Sequence, residues 1–149
     1  MTDATPRPRR AARILLLDRL GRALLLRFVI PRSDGPFLFW ATPGGGQEPG
    51  ETDLETADRE LREELGLVVP VEGPVHEVTA VFEFGGEMME QTDVFFVGRA
   101  GGEKFGLGGI DETERAALRE MRWWTADEIA RAAQPVFPAD LAALVRKFT

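Results

Sequence analysis

The chain has 149 residues, 44% hydrophobic and 29% charged, values that fit one globular domain and exclude wholesale disorder. A net charge of −7 argues against a duplex nucleic-acid surface, and the absence of cysteine excludes disulfides and thiolate metal or redox chemistry. No apolar run approaches membrane-spanning length and the opening Met1-Thr2-Asp3-Ala4 lacks a signal-peptide core, so cytoplasm is the default expectation.

The first residues carry Arg7, Arg9, Arg10 and Arg13 around Pro6 and Pro8. They read as a flexible N-terminal arm over residues 1–10, a solubilising tail in preference to a binding element. Residues 12–17 and 23–30 read as two strands joined across Asp18-Arg19-Leu20-Gly21, with Gly21 supplying the permissive backbone of the turn. Arg27 interrupts the apolar run of the second strand, and its side chain either snorkels from a sheet edge or faces a ligand. Residues 31–36 make a loop and residues 37–40 return as a strand. At its end, Trp40 either caps the sheet beside a buried element or stacks on a nucleobase.

That strand leads through Ala41-Thr42-Pro43 into Gly44-Gly45-Gly46, three glycines where a simple turn needs one. Thr52 is the expected N-cap of the helix that follows, with Glu55 closing a capping box, Asp53 in the first turn and Gly66 ending the helix in left-handed conformation. Leu54, Ala57, Leu61 and Leu65 make one apolar stripe for burial, while Glu60, Glu63 and Glu64 share another face. Like charges at that spacing repel, and a divalent cation with oxygen ligands, Mg²⁺ or Mn²⁺, would relieve the conflict. The competing reading is a solvated acidic face paired with Arg59 and Arg62.

Gly45, five residues, Glu51, seven residues, then Arg59-Glu60-Leu61-Arg62-Glu63-Glu64-Leu65-Gly66-Leu67 resembles the box that defines the Nudix hydrolases, with no departure at its fixed positions. The resemblance implies an α/β/α sandwich around a mixed β-sheet and a loop-helix-loop that holds metal ions against a diphosphate. It implies Glu60, Glu63 and Glu64 as metal-binding carboxylates, the carbonyl of Gly44 as a backbone ligand, and Glu51 with Arg59 as the pair bracing loop against helix. It also moves Arg27 toward phosphate contact.

Beyond the box, residues 68–71 and 77–84 read as strand material around Gly73-Pro74, residues 85–90 as a loop and residues 92–97 as another strand. His76 is alone and reads as structural or exposed. Residues 100–111 hold five glycines and read as a mobile loop that either closes over substrate or merely joins elements. Residues 112–119 read as a helical turn, Arg122-Trp123-Trp124 as a short strand, and Thr125 to Glu128 as a second capping box. Glu112, Glu114 and Glu120 are candidates to complete the site as ligand or base, and family resemblance favours Glu120. Leu141, Leu144, Val145 and Phe148 form the apolar face of a C-terminal helix.

The expected activity is metal-dependent hydrolysis of the pyrophosphate bond in a nucleoside diphosphate linked to another group, by a monomer or homodimer. Nucleoside triphosphates are favoured over ADP-ribose or another nucleotide sugar, because an extra N-terminal subdomain of the kind many sugar-nucleotide members use is missing. A sensor that binds a nucleotide without hydrolysing it is the rival class.

Overall fold

The structure is a computed structural model that describes residues 5–102 and 118–149. In chain order its elements are β1 (Arg7–Leu17), β2 (Ala23–Ile30), β3 (Phe37–Ala41), β4 (Gly44–Gly46), α1 (Asp53–Leu65), β5 (Val71–Phe84), β6 (Glu87–Arg99), β7 (Leu118–Trp124), α2 (Ala126–Ala130), β8 (Val136–Phe137) and α3 (Leu141–Lys147). The strands form one mixed sheet in the order β5-β6-β1-β2-β3-β8, with β4 added to β1 and β7 added to β2.

The site exists because β1 and β2 part company. They pair where Leu17 meets Ala23, at the turn that the Asp18 carboxylate closes by accepting the amides of Leu20 and Arg22. Farther along, β1 takes β4 as its partner, matching Ala11, Ala12 and Arg13 to Gly46, Gly45 and Gly44. β2 takes β7 instead, from Ala23 opposite Trp124 to Arg27 opposite Glu120. The sheet therefore curls as two wings around one corner.

Both faces of the corner are covered, so β1 and β2 read as continuous apolar runs. Leu24 and Leu26 point to one core with Ile14, Leu16 and the α1 residues Ala57, Leu61 and Leu65. Ala23 and Leu25 point to the other with Leu15, Leu17, Trp40, Trp124 and the α3 residues Leu141, Leu144 and Val145. The result is the α/β/α sandwich around a mixed sheet that the resemblance implies.

Several expectations need correction. The flexible arm expected over residues 1–10 gives way to strand at Arg7, because β1 runs parallel to β6 from Arg7 opposite Met89 to Leu17 opposite Arg99. For the same reason residues 87–90, expected as loop, open β6, which also pairs antiparallel with β5. No strand forms over residues 68–70, where Val68 is 82% exposed, and β5 starts at Val71. Leu54, assigned to the buried stripe of α1, is exposed at the first turn, and Thr56 and Glu64 are buried in addition to Ala57, Leu61 and Leu65. Leu118 and Arg119 belong to β7 and not to a helical turn. The remainder of that turn, with Glu112 and Glu114, and the glycine-rich loop beyond Gly102 lie outside the described residues.

Candidate active site

α1 is built from its ends inward. Thr52 accepts the amide of Glu55 while the Glu55 carboxylate accepts the amide of Thr52, and Gly66 closes the helix at φ 67°. Both caps satisfy amides and carbonyls that the helix cannot. α1 is thereby held so that its acidic face lies against β4.

β4 is a partition without side chains. A Cβ on Gly44 would lie 2.1 Å from the carbonyl oxygen of Ala12, one on Gly45 would lie 2.6 Å from the Glu60 carboxylate, and one on Gly46 would lie 2.9 Å from the Arg9 guanidinium. Successive strand residues face opposite ways, so Glu60 stands on one side of the partition and Arg9 on the other. Gly44 also needs its φ of +140°, which L side chains rarely adopt. Its amide donates to Glu64, a carboxylate only 8% exposed, at 3.1 Å.

Arg59 organises the acidic face. Its guanidinium donates to both Glu51 carboxylate oxygens at 2.7 and 2.9 Å and to the Gly46 carbonyl at 2.9 Å, tying loop to helix. Its Nη1 donates to Glu60 at 3.0 Å and to Glu63 at 3.1 Å, so one cation draws two of the three carboxylates together. The hydrogen bonds from Arg59 hold the Glu51 carboxyl down at about 2, with further help from the amide of Glu48 and the Thr56 hydroxyl. The same pairing with Glu51 raises the proton affinity of Arg59, and Glu60 adds to it. An acidic face paired with arginine is therefore part of the truth, although Arg59 is an internal clamp, its side chain 12% exposed.

A second cluster, absent from the sequence reading, lies across the partition. Arg9 donates to Gln91 at 2.9 Å, Gln91 donates to Asp93 at 2.8 Å, and Arg13 donates to Asp93 at 3.3 Å and to the Gly44 carbonyl at 3.2 Å. Burial lowers the proton affinity of Arg9, and the neighbouring Arg13 cation lowers it further. The signal was the spacing: Arg9 and Arg13 are four apart, which in a strand puts them on one face. Arg10, between them, faces the other way and pairs with Asp53 at the start of α1.

The remaining candidates sit on the other wing. Arg27 and Glu120 are directly opposed on β2 and β7 and form an ion pair at 3.6 Å. Glu120 is thus engaged with Arg27, whereas Glu60, Glu63 and Glu64 are held by Arg59 and Gly44. Trp40 is only 3% exposed, packs edge-on to Trp124 at a 5.0 Å ring separation and donates its indole N–H to Gln134 at 2.7 Å. It caps the sheet in the second core and offers no open face to a base.

The NUDIX domain model matches residues 7–147, nearly the whole chain. The chain belongs to the Nudix family. It is 30% identical to an RNA pyrophosphohydrolase of Erythrobacter litoralis (strain HTCC2594), over 95% of this chain and 91% of the relative. Among solved structures it resembles a MutT protein from Methanosarcina mazei Go1 (TM-score 0.72, 21% identity, 98% of this chain and 96% of that one). A MutT Nudix hydrolase from Burkholderia pseudomallei is similar too (TM-score 0.69, 21% identity, 96% and 99%). This Nudix chain is a pyrophosphohydrolase-type hydrolase acting on a nucleotide-linked group.

Nudix hydrolases generally use divalent metals, and the candidate donors here suit one. They are all oxygen: the Glu60, Glu63 and Glu64 carboxylates and the Gly44 carbonyl, a hard set that matches Mg²⁺ or Mn²⁺ in kind. Among the described residues no three carboxylates or imidazoles converge into a preformed cage, since Glu60 and Glu63 are turned to Arg59. No helix among the described residues is long and apolar enough to cross a membrane.

Proposed function

We propose that the chain hydrolyses a phosphoanhydride bond of a nucleoside 5′-triphosphate, in preference to ADP-ribose or another nucleotide sugar. The observation that carries this reading is the pair of arginines, Arg9 and Arg13, set across the glycine strand from Glu60. A diphosphate esterified at both ends brings its charge to one place, whereas a triphosphate has a free terminal phosphate that needs a cationic seat of its own. Guanidinium forks match phosphate oxygens, and two of them stand just across the glycine strand from the carboxylate face.

In this reading Glu60, Glu63, Glu64 and the Gly44 carbonyl hold Mg²⁺ or Mn²⁺. The bound ion supplies charge neutralisation at the phosphates and a lowered pKa for water. Glu63 is the most open of the three carboxylates, its side chain 51% exposed against 16% for Glu60, which supports a role for it in accepting the proton of the attacking water. Water oxygen forms the new bond to phosphorus while the bridging oxygen leaves with the remaining phosphates. Arg9 and Arg13 orient the leaving portion, Arg59 and Glu51 keep α1 fixed against β4, and Arg27, held by Glu120, lines the other wing toward the nucleotide. The likeness to an RNA pyrophosphohydrolase admits an RNA chain as the group attached to the triphosphate.

Measured kcat/KM for deoxynucleoside triphosphates, a short 5′-triphosphorylated oligonucleotide and ADP-ribose on one preparation tests the reading. Each tenfold ratio is about 1.4 kcal/mol of differential transition-state stabilisation. A triphosphate should lead. A preference of about a hundredfold or more for ADP-ribose, near 2.7 kcal/mol, defeats the proposal.

A further inference from the structure

We propose that Arg13 is a positioning and specificity residue that makes the cation site accept a divalent ion carried on a polyphosphate in preference to a free one. The inference rests on the assignment above of the box carboxylates and the Gly44 carbonyl as cation donors.

Gly44 is gripped through both its backbone polar groups. Its N–H donates to Glu64 from α1 at 3.1 Å and its carbonyl accepts from Arg13 on β1 at 3.2 Å. A carbonyl oxygen has two lone pairs, so Arg13 occupies one and leaves the other for a cation. The guanidinium charge then lies next to any ion bound at that oxygen, well inside the distance over which salt screens. Asp93 offsets part of this charge, at 3.3 Å from Arg13, and Gln91, 6% exposed, links Asp93 to Arg9. Within this cluster of described residues, two arginines against one aspartate leave one positive charge unbalanced. A free divalent ion is therefore repelled by Arg13 while it is attracted by the glutamates. A polyphosphate reverses the balance, because its oxygens add to Asp93 the further negative charge that two guanidinium groups can take while it carries the metal to Gly44. Binding of the metal and of the substrate is thereby coupled through one side chain.

The test uses the full chain. Mn²⁺ uptake is followed by calorimetry without any phosphate, and a nucleoside triphosphate analogue with methylene groups at both the α,β and β,γ bridges, which leaves no phosphoanhydride to cleave, is equilibrated by dialysis in the presence of Mg²⁺. Arg13→Gln should bind Mn²⁺ alone about tenfold more tightly and the Mg²⁺-complexed analogue about tenfold more weakly. Asp93→Asn, which removes the balancing anion and leaves Arg13 in place, should weaken uptake of Mn²⁺ alone by about threefold or more. It carries the test should Arg13→Gln fail to fold. Weaker or unchanged Mn²⁺ binding by Arg13→Gln would overturn the coupling, as would unchanged binding by Asp93→Asn. A parent that takes up no Mn²⁺ and binds the analogue equally well with and without Mg²⁺ brings down the cation assignment beneath it instead.

Discussion

Single atoms decide what the glycine strand can do. Gly45 is not among the glycines with positive φ, so alanine there meets no backbone strain, yet its methyl would fall 2.6 Å from the Glu60 carboxylate. Gly45→Ala should therefore keep its thermal midpoint within a few degrees while turnover drops about a hundredfold, the scale on which a displacement near 1 Å costs rate. Loss of the midpoint with retained turnover would show that Glu60 does not need its present place. Glu63→Gln separates charge from shape in the same site. The side chain is half-exposed and contacts Arg59, so folding should persist while nucleotide hydrolysis falls about a hundredfold or more, the lower range of general-base catalysis. A glutamine variant with parental kcat would remove Glu63 from the chemistry. Glu64 differs: it is buried and holds the Gly44 amide, so Glu64→Gln should lower both the midpoint and the rate.

At the scale of the element, α1 was legible because its punctuation is local. A Thr52–Glu55 capping box, a Gly66 terminator and an apolar stripe are all written within one segment. β1 and β6 were only half legible, since their outer halves are strands by virtue of pairing with each other. Arg7 to Arg10 and Glu87 to Glu90 have no apolar alternation, and nothing in either segment alone announces its distant partner. The Arg9, Arg13, Gln91 and Asp93 cluster was missed for that reason, because it comes together only once two segments some eighty residues apart are aligned. The brace at the other end of α1 has a pH signature. The Glu51 carboxyl stands at about 2 in the fold against an ordinary value of 4.5, so its contribution to stability is full above pH 4.5 and is lost as pH falls toward 2. Arg59 stays charged throughout. Glu51→Gln should thus show the largest loss of midpoint relative to the parent near neutrality, with the two curves converging between pH 4.5 and 2. Curves that stay parallel across that range would assign the brace to packing and not to the ionised carboxylate.

The molecule as a whole divides its work between two cores on opposite faces of one sheet. The first packs α1, and with it the carboxylates Glu60, Glu63 and Glu64, through Ala57, Leu61 and Leu65. The second packs α2 and α3 through Ile129, Leu141, Leu144 and Val145, none of which shares an element with those carboxylates. Leu61 is 1% exposed and Leu144 is 6% exposed, so truncating either to alanine should cost a similar amount of stability, about 2–5 kcal/mol. Their effects on chemistry should differ. Leu61→Ala leaves a void beneath the turn that carries Glu60, Glu63 and Glu64, and the helix can settle into it, moving those carboxylates away from the Gly44 carbonyl. Under conditions where both variants remain folded, kcat should fall about tenfold or more in Leu61→Ala, a misplacement smaller than that which costs a hundredfold, and stay within about twofold of the parent in Leu144→Ala. Denaturant unfolding fixes the matched stability loss, and kcat measured well below each midpoint reads the difference. Equal losses of kcat in the two variants would mean that the sheet transmits disturbance from one face to the other, and that the site depends on the whole sandwich and not on the seating of α1.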